Sequence, residues 1–139
     1  MNPIAIFWPM VAHFALVAAI YVLLGWRRRL AVTRDGAKIR QFKVRTEEPS
    51  ASVTAANNLM NQFELPVLFH VVCLALFVTN GVSFVAVLLA WVFVALRYFH
   101  AYIHVTSNNL RIRSLTFAVG FIVLVLMWAW FALHLAGAV

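Results

Sequence analysis

The chain is poor in charge. Only 11% of its 139 residues are Asp, Glu, Lys or Arg, against about 25% in soluble domains, which argues against a water-covered globular surface. Acidic residues are scarcest, four against eleven basic ones. A single cysteine, Cys73, excludes an intrachain disulfide and leaves the redox compartment open. No internal repeat or low-complexity tract interrupts the sequence. The long apolar runs do not alternate with polar residues, which excludes a β-barrel. No basic n-region precedes the first apolar run, and that run is long enough to span a bilayer, so no cleavable signal peptide is expected.

What is present is hydrophobic mass, 65% of the residues, including twelve Phe and five Trp. A length of 139 suits one compact unit, residues 1–139. The net charge of +7 does not point to nucleic acid. The basic residues sit in short segments between apolar runs, where they act as topology signals. Four spanning helices are predicted, at about 3–26, 50–79, 82–105 and 112–136. The fold class is therefore an all-α, integral membrane four-helix bundle.

Trp8 and Trp26 lie near the two ends of the first run, where aromatic belts sit. Arg27-Arg28-Arg29 follows, and residues 27–49 read as a basic loop on the cytoplasmic side. That places both termini on the non-cytoplasmic side and fits a bacterial inner membrane. Glu47-Glu48-Pro49 announces a helix start. The next helix opens with Asn57, Asn58, Asn61, Gln62 and Glu64, and its apolar part, Leu65–Val78, is too short to cross about 30 Å alone. The polar opening must therefore lie partly at membrane depth. Asn57, Asn61 and Glu64 share a face, and Pro66 should bend the helix just beyond them. Asn80-Gly81 is a tight turn, and Ser107-Asn108-Asn109 a break or cap. His134 is expected at the interface.

The third helix carries the chemistry-bearing stripe. Arg97, His104 and Arg111 are seven apart, with His100 three after Arg97, so a continuous helix would align all four. Ionisable groups at membrane depth cost about 2.5–3.5 kcal/mol each on insertion scales, and they normally face protein or water. Glu64 and Arg97 fall at matching depth and are expected to pair. The four amides could act merely as interhelical glue, or form with Glu64 a patch for a peptide-like ligand. His100 and His104 have a metal-compatible spacing but no third ligand nearby, so no metal site is assigned. His13 and His70 could face each other across a haem, or be ordinary core histidines. Arg113 reads as a surface anchor.

At these residues a family resemblance enters. Asn61-Gln62-Phe63-Glu64-Leu65-Pro66, opening a second membrane helix, resembles the Asn-x-x-Glu-x-x-Pro-type signature of the MAPEG family, membrane-associated proteins in eicosanoid and glutathione metabolism. Here the proline comes one position early. Arg97 to Arg111, with ring-bearing residues at +3 and +7, resembles the family's third-helix motif. The resemblance covers essentially the whole chain.

It implies a homotrimer that binds glutathione as cosubstrate between subunits. Asn61 and Glu64 would hold its backbone and amino group, with Asn57, His100 and His104 lining the same site. Arg97 would bind a carboxylate or brace Glu64, and Arg111 would stabilise the thiolate. The implied activity is glutathione transferase or peroxidase chemistry on lipophilic small molecules drawn from the lipid bilayer. Asn57 stands where eicosanoid-making members carry arginine, and His100 and His104 stand where they carry tyrosine. These departures motivate a second reading, a non-catalytic lipid-binding protein or accessory subunit of a membrane complex.

Overall fold

A computed structural model describes residues 2–138. Among them every regular element is helical: α1 (Phe7–Thr33), α2 (Ser50–Asn61), α3 (Leu65–Val78), α4 (Phe84–Val105) and α5 (Leu110–Leu135), with short 3₁₀ turns at Pro3–Ile6, Ile39–Phe42 and Arg45–Glu47. Four segments are long and apolar enough to cross a membrane, with α2 and α3 together forming the second. The protein is an integral membrane four-helix bundle.

The first helix does not end at Trp26. It runs 27 residues to Thr33, about 40 Å at 1.5 Å per residue, so its last turns pass beyond a hydrocarbon layer of about 30 Å. The arginines expected in a loop are therefore helical, and two of them tie the bundle together. Arg27 donates to Thr54 Oγ1 at 2.8 Å and to the Val105 carbonyl at 2.6 Å, joining α1 to α2 and to the end of α4. That carbonyl is one of the last-turn acceptors a helix cannot satisfy itself. Arg28 grips Glu48 with two hydrogen bonds, 2.9 and 2.7 Å, and lies 5.3 Å from the Phe42 ring centre.

The Glu48 side chain is only 2% exposed, so the two hydrogen bonds it accepts from Arg28 are shielded from water. Hydrogen bonds to charged groups contribute about 1.5–3 kcal/mol. Arg28→Ala is expected to lower stability by about 2–3 kcal/mol, read by thermal unfolding in detergent. Arg29→Ala, at an exposed position, should stay within about 0.5 kcal/mol.

The second expected helix, 50–79, is interrupted rather than merely bent. Residues 62–64 are non-helical, and Glu64, with φ −97° and ψ −107°, precedes α3. The cause is Pro66 near the start of α3: it has no N–H, and its ring would clash with the carbonyl four residues back.

α3 ends in a turn of the kind the sequence announces. Asn80 takes a left-handed conformation (φ 58°), and the Gly81 N–H reaches back to the Leu76 carbonyl at 2.7 Å. A Cβ at Gly81 would lie 2.5 Å from the His134 ring, whose Nε2 sits 3.1 Å from the Thr79 carbonyl. Ser83 caps α4 and Asn109 caps α5 through their side-chain oxygens.

The main core lies toward this turn, where Ile6, Phe69, Val72, Phe93, Leu124 and Met127 are buried together. Phe69 and Phe93 stack with ring centres 4.7 Å apart. Ala86, Ala90 and Val94 fall on one stripe of α4, and such small residues let membrane helices approach closely. The polar groups gather at the other end, around the α2–α3 break and the C-terminus of α4.

Candidate functional site

The break exposes carbonyls at the end of α2, and these organise the site. Arg97, 1% exposed in the middle of the bundle, donates through Nη2 to the Asn61 carbonyl at 2.6 Å. A cation at a helix C-terminus also meets the negative end of the helix dipole. The expected Arg97–Glu64 ion pair does not form. Glu64 is exposed, and the ion pair among the described residues is Arg28–Glu48. The carbonyl freed by the break takes the guanidinium that the carboxylate was expected to hold.

Arg97 is not satisfied by this contact. Its Nε and Nη1 are buried and have no partner among the described residues, and its charge lies 5.8 Å from the Phe117 ring centre. Buried polar atoms are nearly always hydrogen-bonded, so such orphans call for a water or a ligand. His100 adds a third. Its Nδ1 lies 3.2 Å from the Arg113 carbonyl, which can only accept, so the proton is on Nδ1. Nε2 is then a bare acceptor, buried without a partner among the described residues.

The expected stripe on α4 is real as far as the helix extends. Arg97, His100 and His104 are 1%, 2% and 3% exposed and share one face. It stops there. α4 ends at Val105, and the chain turns through Thr106–Asn109, with Asn108 left-handed at φ 48°. Arg111 therefore loses the helical register and is exposed on the first turn of α5.

Arg113, expected to be a mere anchor, takes the inward place. It donates to Asn108 Oδ1 at 2.6 Å and lines a cleft with Asn57, Met60, Asn61, Glu64 and His104. The cleft measures about 260 Å³. Asn61 Nδ2 and His104 Nδ1 are 3.5 Å apart across it. Of the residues assigned to binding, the structure thus brings Asn57, Asn61, Glu64 and His104 to one cleft, with Arg97 and His100 buried nearby. It leaves Arg111 outside.

The MAPEG family profile matches residues 6–133. The chain belongs to the MAPEG family. No curated protein and no solved structure matches it. The two blocks that carried the resemblance, Asn61–Pro66 and Arg97–Arg111, lie in this MAPEG chain at the helix break and at the end of α4.

The three asparagines of α2 and Gln62 at its C-cap do not act as one patch. Asn57 and Asn61 line the cleft, whereas Asn58 and Gln62 point the other way and are 0% and 2% exposed. Spacing carries that signal: each pair is i, i+4, and the two pairs lie one residue, hence about 100°, apart. Gln62 meets His13 Nε2 at 3.2 Å, and His13 Nδ1 meets His70 Nε2 at 3.1 Å. The histidines do face each other, but not across a haem. Nitrogens 3.1 Å apart share a proton and leave no room for an ion needing about 2 Å to each ligand.

Proposed function

We propose that this MAPEG protein is a membrane glutathione transferase or peroxidase that acts on lipophilic electrophiles. The observation that carries the reading is the buried Arg97, two of whose nitrogens find no partner among the described residues, beside a polar cleft bearing both a carboxylate and a second arginine. Glutathione offers matching groups. Its two carboxylates suit Arg97 and Arg113, its amino group suits Glu64, and its amides suit Asn57 and Asn61.

A volume of about 260 Å³ falls below the 300–1,000 Å³ usual for small-molecule sites. The cleft alone holds part of a tripeptide, which supports completion by an adjacent copy, as in a homotrimer. Arg111, exposed on the first turn of α5, is then available to a neighbouring subunit's site.

Chemically the site needs to do little. A cation beside a thiol of ordinary pKa about 8.5 raises the thiolate fraction near neutral pH. The thiolate sulfur attacks an electrophilic carbon, the C–S bond forms as the leaving group departs with its electron pair, and the thiol proton goes to solvent. Holding thiolate and lipophile together supplies most of the remaining rate.

The test is turnover of an aryl halide or a lipid hydroperoxide by purified protein with glutathione. Arg113→Ala should lower kcat/KM by about tenfold or more, the effect of losing one charge-assisted hydrogen bond to a glutathione carboxylate. Arg111→Ala separates a contribution across subunits from none. Absence of glutathione-dependent turnover in the wild type overturns the reading and favours the non-catalytic, accessory role.

A further inference from the structure

A second cavity, apolar and about 560 Å³, opens on the side of the bundle between α1 and the α2–α3 junction. Its walls include Phe14, Tyr21, Phe63 and Val67, and His13 and His70 line it as well. His13 to Tyr21 spans two helical turns of α1, about 12 Å, within the segment apolar enough to cross a membrane. It shares no lining residue with the polar cleft.

The polar part of this cavity ends a hydrogen-bond chain whose direction is fixed by the backbone. Asn58 Nδ2 donates to the Ala101 carbonyl at 3.4 Å. A carbonyl can only accept, so Asn58 must turn its Oδ1 toward Gln62. Gln62 Nε2 donates to that Oδ1 at 2.9 Å, and to the Asn58 carbonyl at 3.4 Å. Gln62 Oε1 is thereby an acceptor, and the proton between it and His13 sits on His13 Nε2. With one proton on its ring, His13 presents Nδ1 as an acceptor, and His70 Nε2–H fills it. His70 is left with Nδ1 as a bare acceptor, for which the described residues supply no partner. A half-buried ring nitrogen at membrane depth cannot turn to water, and hydrocarbon offers it no donor.

We propose that this lateral cavity binds a lipophilic molecule carrying a hydroxyl group, which donates its hydrogen to His70 Nδ1 while its apolar body lies against Phe14, Phe63 and Val67. The chain's polarity sets the selectivity. A hydroxyl donor is accepted, and the corresponding ether, which cannot donate, is not. The site stands whether or not the polar cleft handles glutathione.

The test is photolabelling of the full-length protein in lipid nanodiscs with a diazirine-bearing long-chain alcohol and its methyl ether. The alcohol should label residues 14–21 and 63–70 about ten times more efficiently than the ether, the effect of one net hydrogen bond near the top of its usual range. His70→Phe keeps a ring and the cavity wall and should erase that preference. Equal labelling by the two probes overturns the proposal. So does a preference that survives His70→Phe, or failure of both probes to label, as when a second copy of the chain fills the cavity. Should His70→Phe fail to fold, the ¹⁵N signal of His70 Nδ1 in the wild type decides. It shifts on adding the alcohol and not the ether if the proposal holds, and a shift with neither sinks it.

Discussion

With glutathione as the proposed ligand, Arg97→Met is expected to weaken its binding about a hundredfold while leaving stability within about 1 kcal/mol of wild type. Two stability terms of opposite sign nearly cancel. The variant loses one charged hydrogen bond, 2.6 Å to the Asn61 carbonyl, worth about 1.5–3 kcal/mol. It also removes a charge from membrane depth, which relieves about 2.5–3.5 kcal/mol on insertion scales. Methionine fills much of the same space, so packing changes little. Binding has no such compensation, because the two unpartnered nitrogens are what a ligand carboxylate would use. Arg97→Ala adds a cavity and should cost about 3 kcal/mol. Isothermal titration with glutathione, paired with thermal unfolding in detergent, reads both effects. If Arg97→Met destabilises as much as Arg97→Ala with binding intact, Arg97 is a helix cap and not part of a ligand site.

The spans were legible because long apolar runs need no partner to be recognised, and Asn80-Gly81 and Asn108-Asn109 because their turn chemistry is local. The error at Arg27–Arg29 came from reading charge as an end of structure. A helix longer than the hydrocarbon layer simply carries its arginines beyond it, where Arg27 and Arg28 find Thr54, Val105 and Glu48. The expected Glu64–Arg97 pair rested on depth alone. It failed because Pro66 breaks the helix between Asn61 and α3, and a freed carbonyl competes with a carboxylate. Arg111 and Arg113 exchanged places for a similar reason: four non-helical residues after Val105 reset the register. Both misplacements sit at helix interruptions, where periodicity stops carrying information from one side to the other. That His13 and His70 could face each other was legible in the sequence, while the meaning of their contact needed Gln62 in place.

Gln62 tests whether the buried chain is structural. Gln62→Leu is expected to destabilise the bundle by about 4 kcal/mol, since it orphans two buried groups at about 1–3 kcal/mol each. One is the Nε2–H of His13, the other Oδ1 of Asn58, in residues 1% and 0% exposed. Leucine and glutamine are similar in size, so a cavity contributes little. The neighbouring amide supplies the control. Asn61 is half-buried and its side chain makes one long contact, 3.5 Å, so Asn61→Ala should cost near the average of about 0.6 kcal/mol for a membrane side-chain hydrogen bond. Unfolding in detergent, run on both variants, separates the two faces of α2. A Gln62→Leu effect no larger than that of Asn61→Ala would mean that water replaces the lost partner. The His13–His70 pair would then have no fixed direction, since only the anchored amides choose which nitrogen carries each proton.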